Sequence, residues 1–359
     1  MKKLLAFMLA ALLIVTMLAA CSNTEETHGN ETTAETKAET EKSTEKETEA
    51  EDIKLSTDPV RVFTLKGPTG MGMAPIMDNK DAGKAKLNYE FTVADAADQF
   101  KGNILKGDFE IACVPTNLAA VLYQKSNQSI QIAAVNTLGV LYVLEDGETV
   151  NDIKDLEGKT IYSSGQGAVP EYALNYILDA FGVNCEVIYE SEHDLVVADI
   201  MTNKADIAIL PEPKVTAALK NEKAPEGLRI ALDLTELWEE ACKLKNETSA
   251  LCMGCVIVNK AWAKENPNEV IAFLDEYKES VAFVNTELDT ASAMIANYGI
   301  IPKAGLAKAA IPNANIVYID GTDMQTKLMG FFDVLYKSNP ASIGGKMPVA
   351  DIFYIVGKR

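Results

Sequence analysis

Strand-like and helix-like segments alternate from residue 59 onward, and this rhythm confines the chain to an α/β architecture with helices covering the faces of a parallel sheet. Val60-Arg61-Val62-Phe63-Thr64-Leu65 has the period-two apolar pattern of a strand, and Gly67-Pro68-Thr69-Gly70 breaks it. Residues 89–93, 109–114, 130–135 and 139–144 read as further strands, with helices expected over 94–105 and from about 116 to 123. The rhythm then restarts with a strand over 159–163. Ala173, Leu174, Ile177, Leu178 and Phe181 recur at helical spacing until Gly182 stops the run. Residues 186–189, 206–210 and 228–232 follow as strands, with a helix over 194–202. Beyond the apolar run 251–258 the chain turns mostly helical, and Val270, Phe273, Leu274, Tyr277, Val281 and Val284 mark the stripe of one long helix.

The restart implies two α/β units, the second inserted in the first, and a helical C-terminal segment. The first unit is expected over residues 53–137 plus 255–359 and the second over 138–254, with crossings near 136–139 and 250–254. Gly139 and Gly254, one at each crossing, suit either a hinge or a close approach of packed groups. The folded part, about 300 residues from near Leu55, is long enough for two domains.

Ahead of it, the N-terminus divides as a secretory signal does. Lys2 and Lys3 give a positive start, and residues 4–18 form an apolar stretch. That stretch is shorter than the ~20 residues a spanning helix needs. Leu18-Ala19-Ala20-Cys21 resembles the bacterial lipobox. The resemblance implies removal of residues 1–20 and a diacylglyceryl thioether on Cys21. Residues 22–52 are built almost wholly from Glu, Thr, Lys and Ala, which cannot offset the entropy of ordering. Residues 21–52 are therefore expected to be a lipidated cysteine and a disordered acidic tether, holding a domain on the extracytoplasmic face of a cell membrane.

The net charge of −19 argues against a nucleic-acid partner, whose binders carry basic faces. Besides Cys21, the chain has Cys113, Cys185, Cys242, Cys252 and Cys255, an odd number that gives poor support for a disulfide framework. Cys252-Met253-Gly254-Cys255 has the spacing of a redox pair or of half a zinc site, but it lies in an apolar run. Buried structural cysteines are the expectation, with no metal and no cofactor.

In open α/β sheets ligands bind beyond the carboxyl ends of strands, where helix N-termini point their N–H groups. Three segments have that form. Gly67-Pro68-Thr69-Gly70-Met71-Gly72 joins a strand to a helix start and lacks the Gly-Lys-Ser/Thr ending of a phosphate loop. Ser163-Ser164-Gly165-Gln166-Gly167 offers hydroxyls, an amide and a relaxed backbone to a carboxylate, sulfonate or phosphate, unless Ser164 is a plain helix cap. Pro115-Thr116-Asn117 either caps its own helix or touches a ligand. Glu212, between Pro211 and Pro213, presents a carboxylate to a cleft, bridges two domains, or lies solvated on the rim. Catalytic constellations are thin: a Ser-His-Asp triad would need His193, which reads as an exposed helix start, and no Gly-x-Ser-x-Gly or His-Glu-x-x-His motif occurs.

In order along the chain, the lipobox, Ala74-Pro75 after the first loop, Gly107-Asp108-Phe109-Glu110-Ile111-Ala112, Leu156-Glu157-Gly158-Lys159 and Ala205-Asp206-Ile207-Ala208-Ile209-Leu210-Pro211-Glu212-Pro213 resemble solute-binding proteins of ABC importers. The resemblance is to their nitrate/sulfonate/taurine and thiamine-pyrimidine-precursor group. It implies a two-lobed periplasmic-binding-protein-like fold of type II, closing over a small organic molecule and then docking on a permease driven by a separate ATPase. A monomer without catalytic residues is implied. Carried onto this chain, the ligand contacts are Thr69, Gly70, Met71, Thr116, Asn117, Thr137, Ser163, Ser164, Gln166 and Glu212. Arginine is scarce, which disfavours nitrate-like or phosphate ligands, whereas Met71, Met73, Tyr142 and Tyr162 suit a flat organic molecule unless they belong to the core. The rival expectations are an enzyme on the same bilobal fold, of the thiamine-pyrimidine or menaquinone-route type, and a tethered ligand sensor.

Overall fold

The computed structural model describes residues 55–357. The signal peptide read over 1–20, the lipidation site Cys21 and the tether of 21–52 lie outside the described residues. Eleven strands occur among those described: β1 (Pro59–Leu65), β2 (Asn88–Ala94), β3 (Ile111–Pro115), β4 (Ile130–Thr137), β5 (Leu141–Asp146), β6 (Thr160–Ser164), β7 (Glu186–Glu190), β8 (Ile207–Pro211), β9 (Leu228–Asp233), β10 (Gly254–Asn259) and β11 (Ile316–Ile319). Six form one sheet in the order β11-β4-β10-β3-β1-β2, and five form a second in the order β7-β6-β8-β5-β9.

The sequence rhythm suggests parallel sheets, but both are mixed. β1 is parallel to β2 and β3, and β6 to β7 and β8, while β10 is antiparallel to β3 and β4, and β5 to β8 and β9. The reason is the crossing itself. The chain leaves the first sheet along β4 and enters the second along β5, so β5 runs away from the seam between the sheets. β10 does the same on the return.

Alternation along β1 sorts its side chains between two cores. Val60 and Val62 join Met71, Met77, Phe273 and Tyr277 on one face; Phe63 and Leu65 lie on the other, where Phe63 stacks on Phe100 at 5.2 Å. Burying one such side chain contributes about 1.5–3 kcal/mol, against about 0–1 kcal/mol for an exposed pair such as Lys66–Asp95. The sheet faces, not the surface charges, hold the fold. In the second sheet Leu141, Val143, Ile161 and Ile209 face helices Val169–Phe181 and Leu234–Lys245. Tyr142, Leu144, Ala208 and Leu210 face helices His193–Met201 and Lys214–Leu219. Helix Val169–Phe181 begins with Pro170 in its first turn and stops at Gly182 in the left-handed region (φ 66°), where glycine carries no Cβ penalty.

The last long helix, Gly321–Ser338, is shared between the sheets rather than belonging to the first alone. It packs on β4 and on helix Val169–Phe181. Its Phe331 meets Trp238 edge-on at 5.7 Å, and Asn339 at its end donates to the Tyr172 hydroxyl at 2.9 Å. A Cβ on Gly330 would lie 2.0 Å from the Thr248 carbonyl oxygen, so the helix seats there only because that position is glycine.

Candidate functional site at the seam of the two sheets

β4 ends at Thr137, β5 begins at Leu141, and β10 begins at Gly254. β1 and β3 share the direction of β4, so their carboxyl ends reach the same edge. Across the crossing, Leu141 pairs with Pro211 at the end of β8, and Tyr142 with Asp233 at the end of β9; β6, parallel to β8, ends alongside at Ser164. Both sheets thus aim strand carboxyl ends at the segments that join them, the place where α/β folds bind small molecules.

On the first-sheet side, Thr69, Thr137 and Gly254 converge, with Asn136 between them. Asn136 Nδ2 donates to the Thr69 carbonyl at 3.1 Å, and Thr137 Oγ1 donates to Asn136 Oδ1 at 3.1 Å. A Cβ on Gly254 would lie 2.6 Å from Asn136 Oδ1 and 3.0 Å from both threonine hydroxyls. One on Gly139 would lie 2.2 Å from Thr235 Oγ1. Both crossing glycines therefore allow close packing, and neither has a positive φ. The Thr116 N–H donates to the Met253 carbonyl at 3.1 Å, and its buried hydroxyl lies beside the Cys255 thiol. Asn117 is half-buried in the first turn of helix Thr116–Lys125. Gly70 and Met71 turn inward: Met71, like Met73, lies in the core under β1 and not at the seam.

On the second-sheet side, Ser163 and Ser164 are buried at the end of β6. Ser163 Oγ donates to the Ser164 carbonyl at 3.3 Å, and Ser164 Oγ contacts His193 Nδ1. Ser164 is not the cap of helix Val169–Phe181, whose N-cap is Ala168 with no side-chain cap bond. His193 is not an exposed helix start: it is half-buried, and burial, then Lys214, lowers its pKa below the ordinary 6.5. The loop after Ser164 is already served by its own helix, because Glu171 accepts from the Gly167 N–H. Gln166 is exposed. Glu212 is 3% exposed and accepts from the Thr216 hydroxyl at 2.8 Å and the Thr216 N–H at 3.2 Å. Burial raises its pKa above 4.5, the Thr216 bonds opposing that rise.

The two sides touch through Asn313 and Asn315, which the sequence reading does not single out. Asn313 Nδ2 reaches Glu212 Oε1 at 3.4 Å, and the Asn313 carbonyl accepts from the Tyr142 hydroxyl at 2.7 Å. Asn315 donates to the Gly139 carbonyl, and its own carbonyl accepts from the Leu138 N–H at 3.0 Å. Glu212 is thus a bridging group, by a hydrogen bond and not by an ion pair. Asn136 had a visible signal, an amide beside Thr137 at a strand end. Pro312-Asn313-Ala314-Asn315 sits in no recognisable pattern.

Two cavities lie elsewhere. One of about 680 Å³ is lined by Gln131, Lys260, Lys264, Ile271 and Tyr354, and one of about 660 Å³ by Glu145, Lys159, Tyr162, Lys204 and Asp206 at the amino-terminal edge of the second sheet. Neither includes an expected contact residue, and Tyr162 faces the second cavity. Cys252 and Cys255 are buried free thiols; burial pushes both pKa values up, that of Cys252 to about 12.

Residues 120–291 match the family model described as NMT1/THI5 like. No curated protein sequence matches the chain. An ABC transporter structure from Parabacteroides distasonis is 23% identical, with a TM-score of 0.69 over 83% of this chain and 99% of that one. The periplasmic aliphatic sulfonate-binding protein SsuA from Escherichia coli is 16% identical, with a TM-score of 0.61 over 83% and 96%. The ligand-binding component of an ABC-type import system from Staphylococcus aureus is 11% identical, with a TM-score of 0.59 over 83% and 97%.

The chain has the two-lobed periplasmic-binding-protein fold. Its lobes are the halves built on the two sheets, and the seam is the boundary between them. The resemblance read from the ordered sequence motifs is borne out for the fold, and over residues 120–291 the matched family model accords with the group it named. No helix among the described residues of this periplasmic-binding-protein fold is long and apolar enough to cross a membrane.

Proposed function

We propose that this chain is an extracytoplasmic solute-binding protein, anchored by lipid at Cys21, that captures a small organic molecule at the seam and delivers it to an ABC permease. The observation that carries the reading is the convergence of strand carboxyl ends from both lobes on two short crossings. A ligand contacting both sides there stabilises the form in which they meet. The contacts in this reading are Thr69, Thr116, Asn117 and Thr137 from a first lobe of residues 53–137 plus 255–359, and Ser163, Ser164, Gln166 and Glu212 from a second lobe of 138–254. Gly70 and Met71 shape the first loop from inside the core. The likeness to the ligand-binding component of an ABC-type import system and to an ABC transporter structure supports the permease as partner.

The test is to recover the full-length chain from cells, release its bound compound by denaturation, and identify it by mass spectrometry. Adding that compound back should raise the melting temperature by mass action and contract the protein in solution scattering. A constant radius would count against closure, and recovery of a chemically altered compound would favour an enzyme. Cys21→Ala should move the protein from the membrane to the soluble fraction; continued lipid labelling of the variant would remove the anchor from the reading.

A further inference from the structure

Three hydroxyl groups at the seam have their protons committed inside the protein. Thr137 donates to Asn136 Oδ1 at 3.1 Å, Ser163 to the Ser164 carbonyl at 3.3 Å, and Tyr142 to the Asn313 carbonyl at 2.7 Å. Ser164 meets His193 Nδ1; an imidazole kept neutral by burial takes the hydroxyl proton there when Nδ1 is unprotonated. What these oxygens leave free is lone pairs. Glu212, an acceptor when ionised, adds a carboxyl group bonded to Thr216 and Asn313 and to no cation among the described residues.

Positive charge is either far from the seam or already paired: Lys66, just after β1, is bound to Asp95, and Lys214 lies close enough to His193 to lower its pKa. Arg61 is locked to Asp108 and Glu110 at the amino-terminal edge of the first sheet. Arg229 is locked to Glu145 and to the Gly147 and Val150 carbonyls at the edge of the second sheet far from the seam. Lys214, close to Glu212 in sequence, pairs with Asp194. The loop best placed to receive an oxyanion already has Glu171 on the Gly167 N–H.

We infer that the seam takes a neutral or positively charged nitrogen compound that arrives as a hydrogen-bond donor, and that it rejects sulfonates and carboxylates. The inference rests on the solute-binding reading and narrows it. An oxyanion needs donors, and the seam supplies few beyond the Thr69 and Thr116 hydroxyls and the Asn117 and Gln166 amides. Facing Glu212 it would also place two negative charges together without a counterion, a costly arrangement in a dry site. A protonated amine or amidine supplies the missing positive charge and directs its N–H groups at the lone pairs.

The experiment compares one aromatic ring carrying different groups: benzylamine, benzamidine and benzamide against benzenesulfonate and benzoate. Each is added at millimolar concentration to the full-length chain in detergent, with melting temperature and scattering radius as readouts. At least one nitrogen probe is expected to raise the melting temperature and contract the protein, and the two oxyanions to do neither. Glu212→Gln is expected to weaken a cationic probe about tenfold or more, the scale of a charged hydrogen bond. Ser164→Ala, which leaves that carboxyl group in place, is expected to weaken benzamide as well. Contraction by benzenesulfonate or benzoate overturns the ligand class and leaves the solute-binding reading standing. Nitrogen probes that bind both variants as they bind the parent, or silence from every probe, also overturn the class. Conversion of a probe to product would instead overturn the solute-binding reading itself.

Discussion

Glu212 shows how one side chain couples the seam to pH. Its carboxyl group is buried with no cation beside it among the described residues, and burial raises its pKa above the ordinary 4.5. The folded protein therefore holds that proton more tightly than the unfolded chain does. The stability this brings is complete below pH 4.5 and is lost as pH rises through the folded-state value. Glu212→Gln keeps an acceptor for Thr216 and removes the titration. Its melting temperature is expected to gain on the parent as pH rises from about 4.5 toward neutrality, as read by thermal denaturation across that window. A difference that stays flat with pH would mean the carboxylate is better solvated than its burial implies. Glu212 could be picked out in the sequence because prolines flank it at a strand end, but its partner could not. Asn313 lies 101 positions away, and no local pattern links the two. Met71 fails in the opposite direction: its loop is at the seam, but a side chain turned inward by the short helix Pro68–Met71 joins the core.

At the scale of elements, the existence of most strands is plain in the sequence and their direction is not. Alternation reports which face of a strand is buried, whereas the antiparallel course of β5 and β10 is set by where the chain must go next. Helix Leu234–Lys245 carries an open signal, with Leu234, Leu237, Trp238, Ala241 and Cys242 buried at helical spacing, yet the sequence reading passed over it. β11 has only four residues, three of them half-buried, too few for a period to register. The helix Gly321–Ser338 ties the two lobes, since its buried apolar side chains pack on β4 and on helix Val169–Phe181. Phe331→Ala is expected to cost about 3–5 kcal/mol, the usual range for a fully buried aromatic, measured from the denaturant midpoint. Leu244→Ser, at a position 61% exposed, should stay within about 0.5 kcal/mol of the parent. If the two variants unfolded alike, the helix would not be the tie that its contacts suggest.

At the scale of the whole molecule, the lobes meet at the seam through few groups and behind it through a continuous core. Opening is therefore expected at the seam, with Asn313 as the contact that must part. Asn313→Ala removes the hydrogen bond that the side-chain amide donates to Glu212 and leaves the carbonyl that Tyr142 uses. In solution scattering without ligand the variant should be measurably larger than the parent; an identical radius would show that this contact does not hold the lobes together. The placement of β10 also bears on how the chain is made. The second sheet has all its strands by Asp233, but the first cannot close until Gly254–Asn259 slides between β3 and β4. A chain emerging from a ribosome residue by residue thus completes its inner lobe while the outer one, begun earlier, still lacks a central strand. For that interval the facing edges of β3 and β4 are without their eventual neighbour, and any factor that escorts the nascent chain has those edges to shield.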